Sequence, residues 1–288
     1  MEKKYILTDE TITLNSGVVL HRIKAIRSFN NANEGDLGGW IEKEDNLSHD
    51  GDCWVYGNAE VFGNAKVYGN AKVHGTARIF GDATVYGNAR IFDNATVCNN
   101  AIVYGDATVY GYVWVRGNAT VFGRAEVFGN AEIRNNAKVH GNARIFDNAT
   151  VCNNAIVYGN VDVYGYVWVQ GNACIFDNAK VYGNAYVYGD AKIYDNAYVY
   201  GNAEVFGNAE IHGNAVIQSH KDYIVFKNWW SSGRYFTWTR SNNMWRVGCF
   251  YGTGDELVEK AYKDSEISGK WYERIVKYVE SILKEEEK

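Results

Sequence analysis

Every sixth residue from Val55 to Ile217 is valine or isoleucine, without one insertion or deletion. The residue two positions before each aliphatic is alanine at 24 of 27 sites, so both side chains lie on one face of an extended segment. Glycine stands two positions after the aliphatic at 20 of 27 sites, and asparagine follows at 20 of 27. The repeating unit is therefore Ala-x-Val/Ile-Tyr/Phe-Gly-Asn, a short strand with a corner every six residues.

Each position of this unit has a physical interpretation. β-branched side chains suit a buried, pleated surface, so the aliphatic and the alanine are predicted to point inward. Glycine adopts unusual dihedrals freely and asparagine tolerates the left-handed region, so both residues are expected to form the corner. Antiparallel hairpins would need strands and turns that alternate in pairs, which this repeat lacks. A parallel coil with equal sides is the remaining architecture, with rungs about 4.8 Å apart.

The pattern resembles the hexapeptide-repeat family, whose members fold as left-handed β-helices of triangular cross-section. This resemblance covers more than half of the chain and implies an all-β solenoid with three hexads per coil and roughly nine coils. The stretch GDLGGWIEKEDNLSHDGDCWVYGNA, from Gly35 to Ala59, also resembles the first-coil segment of uncharacterised hexapeptide-repeat proteins of bacteria and their phages. That second resemblance implies no known activity.

The composition changes on both sides of the repeat, which predicts three parts: residues 1–54, 55–218 and 219–288. The first part is expected to cap the coil with a β-hairpin that turns at Ser16-Gly17. The last part is predicted to be a small α+β domain. Its expected strands are Tyr223–Lys227, Arg234–Thr239 and Met244–Tyr251, and its expected helices begin at Glu256, capped by Asp255, and near Gly269.

Charge and cysteine content limit the function classes. The net charge of −5 is spread over the chain without a strongly basic or acidic region, so we expect no nucleic-acid partner. The absence of a long apolar run leads us to expect no membrane partner, and the absence of an apolar leader favours a cytoplasmic location. The five cysteines have no framework spacing and are expected to be reduced thiols.

No catalytic site of a known type is evident in the sequence. The best-known hexapeptide-repeat proteins are acyltransferases, which use a general-base histidine. Here His74, His140 and His212 occupy the position after the aliphatic, where tyrosine or phenylalanine usually stands, and are interpreted as members of an outward ladder of rings. No metal-binding or phosphate-loop motif appears, so we expect no metal, no cofactor and no catalytic residue.

Outward-facing aromatic residues suggest binding rather than catalysis. Stacked rings are predicted on two sides of the coil, and self-association along such a ladder as a dimer or trimer is expected. On the third side the ladder is interrupted, and a partner-binding patch is predicted there from Tyr112, Trp114, Arg116, Glu132, Arg134, Tyr166 and Trp168. The alternative is that these residues are neutral substitutions copied by an internal duplication of 54 residues. In the C-terminal part, the tryptophans are interpreted mainly as core, with a ligand platform as the alternative; its residues are Trp229, Trp230, Arg234, Trp238, Arg240 and Trp245.

Three function classes therefore stay open. The favoured one is a non-enzymatic scaffold that binds a protein partner or copies of itself, and a phage-borne member is expected to inhibit a host protein, such as a defence component. The second is an acyltransferase with an intersubunit site. The third is a carbohydrate binder that uses aromatic platforms.

Overall fold

A computed structural model of the chain describes residues 2–286 and confirms the predicted β-solenoid. Three parallel sheets run along the coil, and each hexad contributes one short strand to one of them. The inward alanines and aliphatics of the repeat are fully buried in one continuous core. The six-residue period therefore sets the length of each side and the composition of the interior, and three hexads complete one turn, as the family resemblance implied.

Each sheet forms one face of the coil. Face I consists of the strands Leu37–Ile41, Glu60–Val61, Arg78–Ile79, Thr96–Val97, Trp114–Val115, Glu132–Ile133, Thr150–Val151, Trp168–Val169, Tyr186–Val187 and Glu204–Val205. Face II consists of Trp54–Val55, Lys72–Val73, Arg90–Ile91, Thr108–Val109, Glu126–Val127, Arg144–Ile145, Asp162–Gly165, Lys180–Gly183, Tyr198–Val199 and Val216–Ile217. Face III consists of Lys66–Val67, Thr84–Val85, Ile102–Val103, Thr120–Val121, Lys138–Gly141, Ile156–Gly159, Cys174–Ile175, Lys192–Ile193 and Glu210–Ile211.

The coil begins two sides of a turn before the strict repeat, at Ile41 and Leu47. Ile41 pairs with Val61 on face I, and Leu47 forms a bridge to Val67 on face III. Together with Val55 on face II, these residues complete a first turn, so the solenoid has about ten turns rather than roughly nine. The irregular spacing from Leu47 to Val55 is absorbed at one corner, while the register of the following rungs stays intact.

Each corner contains two residues with different structural roles. The first corner residue always has a positive φ, and where it is not glycine it is asparagine or aspartate, as at Asp93 (φ 58°) and Asn99 (φ 60°). Both residues form the corner, as predicted, but the second residue, usually asparagine, does not have a positive φ. Its side chain instead donates a hydrogen bond to the equivalent residue of the next rung, as Asn100 Nδ2 does to Asn118 Oδ1 at 3.0 Å. The second position is therefore selected for an amide ladder that joins successive rungs.

The N-terminal hairpin covers the first turn, as predicted. Its strands, Tyr5–Thr13 and Val19–Ala25, pair antiparallel and extend face I at its edge. The Lys4 ammonium donates to the carbonyls of Gly51 and Cys53 at 3.0 and 2.9 Å, and the Tyr5 hydroxyl donates to the Leu47 carbonyl at 2.7 Å. These donors satisfy backbone groups of the first turn that have no preceding rung.

The C-terminal segment covers the last turn in a similar way. The Thr237 hydroxyl accepts from the Glu210 amide at 2.9 Å, and the Ser241 hydroxyl accepts from the Val216 amide at 2.7 Å. The Tyr223 hydroxyl donates to the Glu204 carbonyl at 2.9 Å. Side chains thus replace the missing next rung and close an edge that would otherwise pair with another chain.

The C-terminal segment contains four strands and two helices. The strands are Tyr223–Lys227, Tyr235–Thr239, Met244–Val247 and Phe250–Gly252, and the helices are α1 (Gly254–Asp264) and α2 (Glu266–Glu286). The prediction of one strand over Met244–Tyr251 is wrong, because Gly248 has φ 57° and reverses the chain, so that Val247 pairs with Phe250. Short 3-10 turns at Glu44–Asn46 and His220–Asp222 complete the structure.

Both helices begin earlier than predicted. Thr253, not Asp255, caps α1: its hydroxyl accepts from the Glu256 amide, and the Glu256 carboxylate accepts from the Thr253 amide. This reciprocal capping box places the helix start at Gly254. Helix α2 starts at Glu266, directly after Ser265. The apolar spacing placed its start near Gly269 because that spacing begins only at Trp271 and does not detect the first turn.

Replacing Val121 or Val157 with aspartate should prevent folding, because each side chain is fully buried in a rung and would place an unpaired charge in the core. Loss of the cooperative melting transition, followed by circular dichroism, is the expected result. Lys66→Ala and Thr120→Ala are the matched controls, since both side chains point outward from strands of the same face. Aspartate variants that melt like the wild type would contradict the inward assignment.

Candidate functional site

Faces II and III carry stacked rings at the position after the inward aliphatic. The predicted ladder on face II is confirmed, with successive centroids 4.7–5.1 Å apart along Phe92, Tyr110, Phe128, Phe146, Tyr164, Tyr182 and Tyr200. The ladder on face III, predicted for Tyr68, Tyr86, Tyr104 and Phe122, continues unbroken through His140, Tyr158, Phe176, Tyr194 and His212. Each ring covers its neighbours, so these ladders are half-buried rather than fully exposed stripes.

The three repeat histidines lie within these ring stacks, as predicted. His74 stacks on Tyr56 at 3.9 Å, and His140 lies between Phe122 and Tyr158 at 4.5 and 5.0 Å. Burial lowers the pKa of all three imidazoles, including His212. Near neutral pH they therefore act mainly as uncharged members of the stacks.

Face I differs because its outward positions hold tryptophan and charged residues in place of a continuous ladder. The register places Trp114 beside Glu132, Glu132 beside Thr150, and Thr150 beside Trp168. Trp114 is 47% exposed, whereas Thr150 is buried. These backbone pairings hold the predicted patch residues on one rigid surface, about 14 Å long from Trp114 to Trp168 by the rung spacing.

Two arginines flank Glu132 on this surface, and one of them reaches a tryptophan. Arg116 Nε donates to Glu132 Oε1 at 2.6 Å, and Arg134 Nε lies 3.7 Å from Glu132 Oε2. The Arg134 guanidinium also lies over the Trp168 ring, 5.5 Å from its centroid. Arg134 therefore reaches across the intervening rung, where the Cys152 side chain is buried. We call Trp114, Arg116, Glu132, Arg134 and Trp168 the face I strip.

Two tyrosines stand at the corner beside the face I strip. Tyr112 and Tyr166 replace the usual corner asparagine and are 66% and 65% exposed, among the most exposed aromatic residues of the described chain. Tyr186, which sequence reasoning missed, stacks on Trp168 at 6.3 Å and extends the strip by one rung. The signal for it was present, because Tyr186 lies 18 residues after Trp168 and therefore occupies the same position one turn later.

The tryptophans of the C-terminal segment do not form one platform. Trp238 and Trp245 are buried in the core, as the core interpretation predicts. That interpretation is wrong for Trp229, which is 69% exposed and contacts the Trp271 edge at 4.9 Å. Trp230 stacks on Trp271 at 5.4 Å. Of the remaining candidates, Arg234 lines a cavity and Arg240 lies near the first strand of the segment.

A polar cluster joins face III to the C-terminal segment. His212 Nδ1 lies 3.0 Å from Asp195 Oδ2, and the Tyr251 ring packs against the imidazole at 3.8 Å. Glu210 receives hydrogen bonds from Lys192 and Arg246 at 3.0 and 3.1 Å.

The environment of this cluster sets its ionisation. Burial opposes ionisation of Glu210, but the bonds and charges of Lys192 and Arg246 outweigh it and hold its pKa below the usual value. Burial has the larger effect on His212, whose pKa is lowered despite the Asp195 carboxylate. Sequence reasoning missed this cluster. Lys192 and Glu210 are register partners within the repeat and Asp195 lies one turn before His212, whereas Arg246 and Tyr251 join them only when the C-terminal segment packs on face III.

The described residues contain no group of three His, Cys, Asp or Glu side chains close enough to bind a metal. In the same part of the chain, no helix is both long and apolar enough to cross a bilayer.

The fold and the repeat define a β-solenoid protein of the hexapeptide type. A family model described as "YdcK Beta solenoid repeat" matches residues 77–90, 89–105, 101–117 and 143–159. A relative named "Uncharacterized acetyltransferase YdcK", from Escherichia coli (strain K12), is 36% identical over 61 residues, which cover 19% of this chain and 19% of the relative. These matches, taken with the coil, fit a hexapeptide-repeat-like β-helix family. The alignment spans less than a fifth of the relative.

The stacked histidines should make stability depend on pH. Because burial lowers their folded-state pKa values, the unfolded chain binds protons first as the pH falls below about 6.5, and the free energy of unfolding decreases from there downward. His140→Phe should reduce this loss, measured as denaturant midpoints at neutral and mildly acidic pH, while keeping the ring stack. Tyr158→Phe, the neighbouring position, is the control that should leave the slope unchanged. An unaltered pH dependence in His140→Phe would contradict this assignment.

Proposed function

We propose that the chain is a non-enzymatic binding protein that recognises a protein partner through the face I strip. The observation that supports this proposal most directly is the exchange of stacked rings for exposed tryptophan and arginine on one face of a rigid coil. Tryptophan and arginine are enriched among residues that dominate binding energy. A β-helix surface loses little conformational entropy on binding, because the backbone already holds these side chains in fixed register.

The charges of the face I strip indicate which surface it would bind. Arg116 and Arg134 share the single carboxylate of Glu132, which leaves an excess of one positive charge. Arg134 Nε is buried, but the Arg134 side chain as a whole is 28% exposed, so a partner can reach the rest of the guanidinium. A partner that offers a carboxylate beside apolar side chains would satisfy this guanidinium and cover Trp114, Tyr112 and Tyr166. The expected partner surface is therefore acidic at its centre and apolar around it.

The partner is either another protein or a second copy of this chain. Inhibition of a host protein by a phage-borne member belongs to the same proposal, with the partner supplied by the host. Self-association is the form of the proposal that needs no other component. Concentration-dependent sedimentation distinguishes it from binding to a different protein.

Replacing Trp114, Arg116, Arg134 and Trp168 together with alanine should abolish partner recovery in affinity purification from the native host. The melting temperature should change little, because all four side chains lie outside the core. The matched control is Arg90→Ala with Tyr198→Ala, which removes an exposed arginine and an exposed aromatic ring from face II. Undiminished recovery by the folded quadruple variant would move the binding surface away from face I.

Acyl transfer is the second candidate, and two observations favour it. The relative from Escherichia coli carries the name of an acetyltransferase. In addition, the imidazole of His212 is oriented by Asp195, the geometry that a general base requires, while His212 Nε2 is buried without a hydrogen-bond partner among the described residues. Tyr251 covers this imidazole, so substrate access would require displacement of that ring.

A coenzyme A thioester separates the two candidates. An acyltransferase should bind acetyl-coenzyme A, show a higher melting temperature with it, and lose turnover in His212→Gln. The binding protein should show neither a thermal shift nor hydrolysis. Turnover that survives in His212→Gln would exclude this histidine as the base.

A further inference from the structure

A partly enclosed cavity of about 230 Å³ lies in the C-terminal segment, remote in sequence from the face I strip. Its walls come from α1, the first turns of α2 and the loop between the first two strands of the segment. Its lining includes the polar residues Asn228, Arg234, Lys260, Asp264, Ser268 and Tyr272. This volume lies below the usual range of about 300–1,000 Å³ for drug-sized ligands, so the cavity suits a smaller molecule.

The floor of the cavity presents a hydroxyl proton that no described residue accepts. Asn228 Oδ1 accepts from the amide and hydroxyl of Ser231 at 2.9 and 3.0 Å, which orients Asn228 Nδ2 toward Tyr272. Asn228 Nδ2 then donates to Tyr272 Oη at 3.1 Å. Because Tyr272 Oη is the acceptor in this bond, its own proton remains available for a ligand. Both side chains are more than nine-tenths buried.

The ionisation state of Tyr272 suits this role. Burial is the main cause that raises the pKa of its phenol, so the hydroxyl stays protonated at neutral pH. Ser268 lines the same floor and is also buried, which adds a second hydroxyl donor. The floor therefore offers donors rather than acceptors.

Two cations lie at the mouth of the cavity. Neither the Arg234 guanidinium nor the Lys260 ammonium forms an ion pair within residues 2–286; Lys260 packs 5.8 Å from the Phe250 ring centroid. Asp264 is the single carboxylate in the lining, so the cavity has an excess of one positive charge. A basic mouth above a floor of hydroxyl donors is complementary to an anion with several oxygen acceptors.

We propose that this cavity binds a small phosphate-bearing ligand, either inorganic phosphate or the monoester of a small metabolite. Arg234 and Lys260 contact the phosphate oxygens at the mouth, and the Tyr272 and Ser268 hydroxyls donate from the floor. Phosphate fits better than a carboxylate, because its larger number of oxygens matches the number of converging donors, and a guanidinium binds it in bidentate fashion. This site is independent of the face I strip, so the failure of one proposal leaves the other intact.

The test uses the full chain and titrates inorganic phosphate and glycerol phosphate, with sodium chloride and acetate at equal ionic strength as comparisons. Phosphate should raise the melting temperature above the chloride baseline, since a ligand that binds only the folded state stabilises it. Arg234→Met and Lys260→Met should each weaken binding about tenfold, and Tyr272→Phe several-fold, because each removes a donor to the anion. Lys263→Met, one turn from Lys260 on the same helix, is the matched control.

Cys249 provides a readout that does not depend on variants. Its thiol is the exposed one among the five free cysteines and lies in the cavity lining. Bound phosphate or glycerol phosphate should slow its alkylation by iodoacetamide, whereas chloride should not. Equal thermal shifts for phosphate and chloride, an equal affinity for acetate, or equal phosphate binding by the wild type and Arg234→Met would overturn the proposal.

Discussion

The whole solenoid depends on the corner at which the chain turns with a positive φ every six residues. Because the first corner residue adopts the left-handed region in every repeat, each strand stays short and the next aliphatic returns to the interior. A β-branched residue at this position would be strained, which explains why only glycine, asparagine and aspartate occur there. The buried column of alanine and valine or isoleucine, the amide ladders and the ring stacks all follow from this regular turn.

Regular corners also determine which surface is free to vary. The inward positions tolerate only small and β-branched side chains, and the second corner position is mostly committed to the amide ladder. Outward positions beside the aliphatic have no such constraint, so Trp114 and Arg116 occur there without disturbing the rung. The exposed side chains of Tyr112 and Tyr166 replace asparagines and interrupt the amide ladder of their corner. This replacement removes hydrogen bonds and does not stabilise the coil. Binding is a physical reason to place large rings at such positions.

The unpaired backbone groups at the two ends of the coil are satisfied by different kinds of side chain. The first turn is closed by an ammonium and a phenol that donate to backbone carbonyls, and the last turn mainly by hydroxyls that accept from backbone amides. The buried ammonium of Lys4 is held by carbonyls, and burial lowers its pKa. Closure of both edges prevents the rungs from pairing end to end with another coil. Under the proposed self-association, copies of the chain would therefore meet through the sides of the solenoid, including face I.

The sequence by itself determined the inward residues and, with the three-hexad turn that the family resemblance implied, the three faces and the aromatic ladders, because every eighteenth residue then lies at the same point of the next turn. For the same reason it brought Trp114, Glu132 and Trp168 onto one face. Only the tertiary structure decided that Arg134 reaches Trp168, that Asp195 orients His212, and that Asn228 turns Tyr272 into a donor. Arg134 reaches Trp168 through its side-chain conformation, and Asp195 meets His212 through side-chain geometry within the repeat. Asn228 and Tyr272 meet through the packing of the C-terminal segment. Periodicity encodes position along a coil, but it carries no information about how an aperiodic segment packs.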